Sequence, residues 1–81
     1  MRPEDILQLL RSRPFQPFRM YMSDGSIFDI RHPELAIVER SKIVLGVPGE
    51  SGPDGPVERT VFCALVHIVR AEPINGAMHA A

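Results

Sequence analysis

Phe15-Gln16-Pro17-Phe18-Arg19-Met20-Tyr21-Met22-Ser23-Asp24-Gly25-Ser26-Ile27-Phe28-Asp29-Ile30-Arg31 decides the reading of the fold. Apolar side chains alternate through Phe18, Met20 and Met22, and again through Phe28 and Ile30. A period of two marks strands with one buried face. Ser23-Asp24-Gly25 interrupts the alternation and reads as the turn of a β-hairpin. A two-residue Asp-Gly turn would set Met20 against Asp29 and Arg19 against Ile30, mixing oily and charged partners. A three-residue turn with Gly25 left-handed sets Met20 against Phe28 and Phe18 against Ile30 on one face. It sets Arg19 against Asp29 and Tyr21 against Ile27 on the other. Glycine takes positive φ without a Cβ clash, and three-residue hairpin loops favour that bulge. A slip by one residue would turn the apolar set outward, so the register is well specified.

The segments on either side find their places against this hairpin. Residues 3–13 read as an amphipathic helix with Pro3 at its first position and Pro14 as its stop. Glu4 and Asp5 lie at the positive end of its dipole, Arg11 and Arg13 at the negative end. Ile6, Leu9 and Leu10 share one face, with Leu7 at the margin, and this stripe is expected to cover the sheet. Phe15 and Phe18 are expected to clamp helix to sheet. After a break at His32-Pro33-Glu34, residues 35–39 read as a third strand, although Leu35 and Ala36 also suit a short helical turn. Residues 43–47 read as a fourth strand, 57–64 as a fifth and 67–72 as a short last one, with a corner at Leu65-Val66. Between the fourth and fifth, residues 48–56 hold three prolines and three glycines. Such a stretch makes neither ladder nor helix and is expected to be a mobile loop. Residues 75–81 read as a disordered tail. The expected architecture is one domain, 1–81, mainly β with one N-terminal α-helix, its sheet (16–73) a small, strongly bent antiparallel sheet or barrel.

Composition limits the function classes. An 81-residue chain buries only about 60–65% of its unfolded surface, so the core is modest and a self-associating β edge would supplement it. Nine basic residues against ten acidic make no global electrostatic case for nucleic acid. Eight of the nine are arginine, which suits planar and phosphate partners but also follows from a GC-rich genome. Cys63 is the single cysteine, so no intramolecular disulfide forms, and its apolar setting reads as an inert buried thiol. No apolar run approaches the ~20 residues of a membrane helix, and the start lacks a secretory layout, so the expected location is cytoplasmic.

No constellation for catalysis, cofactor or metal emerges. Asp29, His32 and Glu34 are close in sequence, but Pro33 bends the chain between them and no paired-ligand motif is present. His32 reads as a backbone hydrogen-bonder at the strand end. Cys63 and His67 would stand ~13 Å apart along a continuous strand, too far for a nucleophile pair. Residues 48–56 lack the lysine and hydroxyl of a phosphate loop. Arg19, Tyr21 and Arg31 on the outer hairpin face are the candidate partner or RNA contacts, because an exposed aromatic between arginines can stack a base. The alternative is a solvated face in which Asp29 neutralises Arg19.

Arg13-Pro14-Phe15, Pro17-Phe18, Ser23-Asp24-Gly25 and His32-Pro33-Glu34 together resemble a group of short bacterial proteins without established activity, over residues 3–73. That resemblance implies no function. The element order is similar to the Sm-like superfamily, in which a helix precedes a strongly bent five-stranded antiparallel sheet. Residues 6–11 leading to Met20-Tyr21-Met22-Ser23-Asp24-Gly25 resemble the opening of its bacterial RNA chaperone. Residues 64–69 resemble that protein's close. The resemblance implies an Sm-like or SH3-like barrel and rings that bind single-stranded RNA. Phe62-Cys63-Ala64 stands where the chaperone carries a Tyr-Lys-His run, so its RNA contacts do not carry over. The expected function is a non-catalytic protein-interaction or self-associating module without cofactor or small-molecule substrate; an RNA-binding ring is the alternative.

Overall fold

The computed structural model describes residues 1–52 and 54–74; the expected tail at 75–81 lies outside the described residues. Helix α1 (Pro3–Arg11) is followed by β1 (Phe18–Met22), β2 (Ile27–Ile30), a 3-10 turn (Pro33–Leu35), β3 (Ala36–Val38), β4 (Lys42–Pro48) and β5 (Val57–Ala64). A second 3-10 turn (Leu65–His67) leads into β6 (Ile68–Pro73). The strands form two antiparallel three-stranded sheets, ordered β2-β1-β6 and β3-β4-β5. They do not close into one barrel, because β2 and β3 belong to different sheets.

The hairpin has the register that the alternation requires. Phe18 faces Ile30, Arg19 faces Asp29, Met20 faces Phe28 and Tyr21 faces Ile27. Gly25 has φ +92°, and its N–H donates to the Met22 carbonyl at 3.0 Å. The Met22 N–H donates to Ser26 O at 2.9 Å, which closes the three-residue loop. Asp24 accepts the Ser26 N–H at 2.9 Å and adds a side-chain brace. Gly25→Val forces a β-branched residue into this left-handed turn. It is expected to lower stability by about 1–2 kcal/mol, and an unchanged melting temperature would refute the assignment.

Two 3-10 turns carry the chain between the sheets. Pro33 supplies no N–H and holds His32 extended, so β2 stops and Pro33–Leu35 coils before β3 begins. The helical turn after the break therefore does form, and the third strand shortens to residues 36–38. Leu65–His67 makes the return crossing. It is pinned by Leu65 N–H to Ser41 O at 2.9 Å, by Ser23 N–H to His67 O at 2.8 Å, and by the Met1 ammonium on Leu65 O at 2.9 Å. The last strand accordingly starts at Ile68, and Pro73 sits within it opposite Phe18. Pro48 likewise ends β4 opposite Val57, beside a register shift, so the loop after it begins one residue later than its composition suggests.

The core is the shared interior of the two sheets under α1. Phe18, Met20 and Ile30 come from the first sheet, Ile43, Leu45 and Cys63 from the second, Ile6 and Leu10 from the helix. Leu65 and Ile68 complete it. Phe15 meets Phe18 edge-to-face at 6.2 Å, the expected clamp. The helix ends at Arg11 rather than Arg13: Ser12 turns to extended backbone and its Oγ bonds Gln8 O at 3.0 Å. Only Arg11 therefore lies in the last turn, and Arg13 falls outside the helix. At the other end the Asp5 carboxylate accepts the Arg2 N–H at 3.1 Å, one half of a capping box.

Candidate functional site

The outer face of the first sheet gathers the residues singled out for partner contact. β1 is central, so Arg19 and Tyr21 are flanked by β2 and β6. Arg19 Nε and Nη2 donate to the two oxygens of Asp29 at 2.7 and 3.1 Å, a forked pair. Arg31 Nη2 stands 3.6 Å from the same carboxylate. Asp29 is therefore held below the usual carboxylate range, chiefly by the hydrogen bond from Arg19. The guanidinium of Arg70, opposite Tyr21 in the ladder, lies 3.8 Å from the centre of the Tyr21 ring and bonds Glu72 at 2.8 Å. Arg19, Tyr21 and Arg31 thus share a face, but Asp29 holds both arginines and Arg70 covers one side of the tyrosine. This is the neutralised face that Asp29 offered in the sequence. Arg70, on β6 with four strands between it and β1 in the chain, could not be placed over Tyr21 without the β1–β6 register.

The second sheet presents a different outer face. Ile37, Val44 and Phe62 stand in one row across β3, β4 and β5. Their ladder neighbours Val38, Ile43 and Cys63 form the inward row, so the first three point away from the core. Ile37 is 61% exposed and Phe62 68%. Lys42 Nζ lies 5.2 Å from the Phe62 ring centre and pairs with Glu39 at 3.2 Å, a polar rim to the row. Val66 on the second 3-10 turn, 81% exposed, and Val69 on β6 are further exposed apolar side chains. β5 itself is the longest strand and pairs on one side only, with β4. This surface was not singled out from the sequence, yet a signal was present. Leu35–Val38, Ile43–Leu45 and Val61–Ala64 are continuous apolar runs, and such runs read as strands covered on both faces. Among the described residues only one face is covered.

The remaining sequence candidates disperse. Asp29 turns to its arginines, His32 Nε2 meets Asp54 Oδ1 at 2.6 Å instead of a backbone group, and Glu34 lies exposed on the first 3-10 turn. The His32 partner could not be foreseen, because Asp54 is brought back by the folding of the β4–β5 loop. That loop makes two internal turns, Gly52 N–H to Gly49 O and Gly55 N–H to Gly52 O, at 3.1 and 3.0 Å. Among the described residues no group of three His, Cys, Asp or Glu side chains could hold a metal ion. Cys63 is buried, and desolvation raises its thiol, with the Asp24 charge adding to the effect. The strand-spacing argument for separating Cys63 from His67 fails, since the Leu65–His67 turn breaks the strand and both residues line one cleft. His67 Nδ1 there lies 3.2 Å from Ser23 Oγ.

A second cleft, of about 430 Å³, opens where the two sheets diverge. Its sides are Ile27–Asp29 of β2 and Leu45–Pro48 of β4 with Gly49 after it, and Arg19, Arg31 and Arg59 stand around it. At Gly46 an added Cβ would stand 2.9 Å from a Val57 methyl, so the absence of a side chain there lets β4 and β5 close behind the cleft. No helix among the described residues is long and apolar enough to cross a membrane. Comparison of the chain with protein-family models, with curated proteins and with solved structures found no match to any of the three.

Proposed function

We propose that this protein is a small non-catalytic interaction module whose first partner is another copy of itself. The observation that carries the reading is the outward Ile37–Val44–Phe62 row, exposed at Ile37 and Phe62 and half-buried at Val44, beside the open edge of β5. A sheet that is apolar on both faces and covered on one is more stable with the second face covered. An edge strand of eight residues adds backbone groups that another strand can satisfy. β6 offers the other sheet's open edge, so copies have two complementary edges through which to associate. The pairing of β1 with both β2 and the last strand, with a 3-10 turn before that strand, supports an Sm-like arrangement. The RNA-binding alternative has less support, because Asp29 holds Arg19 and Arg31 and Arg70 covers Tyr21.

Size-exclusion chromatography with light scattering tests the reading. The wild-type chain is expected to run as an oligomer with a melting temperature that rises with concentration, and Phe62→Arg as a folded monomer with an unchanged circular-dichroism spectrum. A central buried aromatic typically contributes about 2 kcal/mol or more, so the dissociation constant should rise roughly thirtyfold. A wild-type chain that stays monomeric at every attainable concentration removes self-association.

A further inference from the structure

The geometry points to the cleft between β2 and β4 as a slot for an extended, acidic segment of a partner protein, added as a strand. This inference is independent of the association surface, which lies on the other side of the second sheet. Two observations support it. First, the cleft is bounded by unpaired strand edges. Among the described residues β2 pairs only with β1, and β4 beyond Leu45 pairs only with β5, because β3 begins at Ala36. The 3-10 turn at Pro33–Leu35 is what parts them. The N–H and C=O groups on those sides are a template for one more strand. β2 has four residues, about 13 Å of ladder, so the slot suits a short segment.

Second, the charge around the slot is net positive. Three guanidinium groups, of Arg19, Arg31 and Arg59, line it with one carboxylate, Asp29, and the Glu58 carboxylate stands beside Gly49 at its end. Arg59 makes no ion pair among the described residues. Asp29 holds Arg19 and Arg31 at the rim while leaving each with further N–H donors. Ile27 and Leu35 line the cleft as apolar contacts, while Leu45 behind them belongs to the core. Side chains of an inserted strand alternate between its two faces. A segment that alternates acidic and aliphatic residues would therefore set carboxylates on the arginines and aliphatic groups on Ile27 and Leu35.

The test is an NMR titration of the full-length, isotope-labelled protein with acetyl-Val-Glu-Val-Glu-Val-Glu-amide. Amide shifts are expected at Ile27, Phe28, Asp29, Gly46 and Val47, and slowed exchange at Ile27, Asp29 and Gly46, whose N–H groups point away from β1 and β5. Arg31→Gln and Arg59→Gln should each weaken binding about two- to fivefold, with the melting temperature unchanged as the control for folding. The peptide with lysine in place of glutamate should bind at least about tenfold more weakly, since like charges meet across the slot. N-methylation of alternate peptide amides should abolish binding, because it removes the ladder donors. Equal affinity for the lysine peptide, or shifts confined to β5 and β6, would overturn the assignment. So would the same amides shifting on raising the protein concentration alone, which would make a second copy the occupant.

Discussion

Phe18→Ala is expected to lower the unfolding free energy by about 3–5 kcal/mol, the range for removing a fully enclosed phenylalanine. Phe18 is buried on the central strand of the first sheet, between Ile30 of β2 and Pro73 of β6. Its ring also meets Phe15, which ties the helix-to-strand link to the core. The loss therefore combines apolar transfer, a cavity with little room to collapse and a broken aromatic contact. A chain of this length has a total stability of roughly 4–12 kcal/mol, so the substitution removes at least about a quarter of it. Urea denaturation followed by circular dichroism measures it. Phe62→Ala, by contrast, should move the stability of the isolated chain by no more than about 0.5 kcal/mol, because Phe62 faces outward. Similar losses for the two phenylalanines would contradict the inward and outward rows described above.

Ile6→Ala should cost about 2–4 kcal/mol, near the lower part of the range for a buried isoleucine because alanine is the better helix former. A nine-residue helix is not stable in water on its own. α1 holds its shape because Ile6 and Leu10 are buried against the two sheets. Alanine at position 6 raises the helix propensity and removes the docking group, so any measured loss comes from packing and understates it slightly. Leu7→Ala is the comparison: Leu7 is only half-buried and lies outside the core cluster, and its loss should stay under about 1 kcal/mol. Hydrogen exchange should show α1 amides opening well before those of β1 in Ile6→Ala. Equal exchange in both elements would place the helix within a single cooperative unit.

Both the apolar row and the arginine-rimmed slot arise from one feature, the separation of two sheets that a closed barrel would have joined. The slot opens where β2 gives way to the 3-10 turn, and the row is the uncovered side of the sheet that follows. Substitutions on the two surfaces should act independently, since Phe62 and Arg31 share no partner.

The sequence by itself determined the hairpin, the register about Gly25, the buried face of α1 and the site of the strand break at His32-Pro33. These rest on local physics: alternation in a pleated strand, the left-handed turn that glycine alone adopts freely, helical periodicity, and proline's missing donor. Tertiary structure decided what those elements meet. Arg70 over Tyr21, Asp54 on His32, the Ile37–Val44–Phe62 row and the slot beside Arg59 each join residues from strands or loops distant in the chain. Such pairings depend on how two short turns aim the sheets, and a turn's direction is set by the packing around it. Periodicity told which side chains seek an interior; only the packed chain decided which apolar face stayed in water.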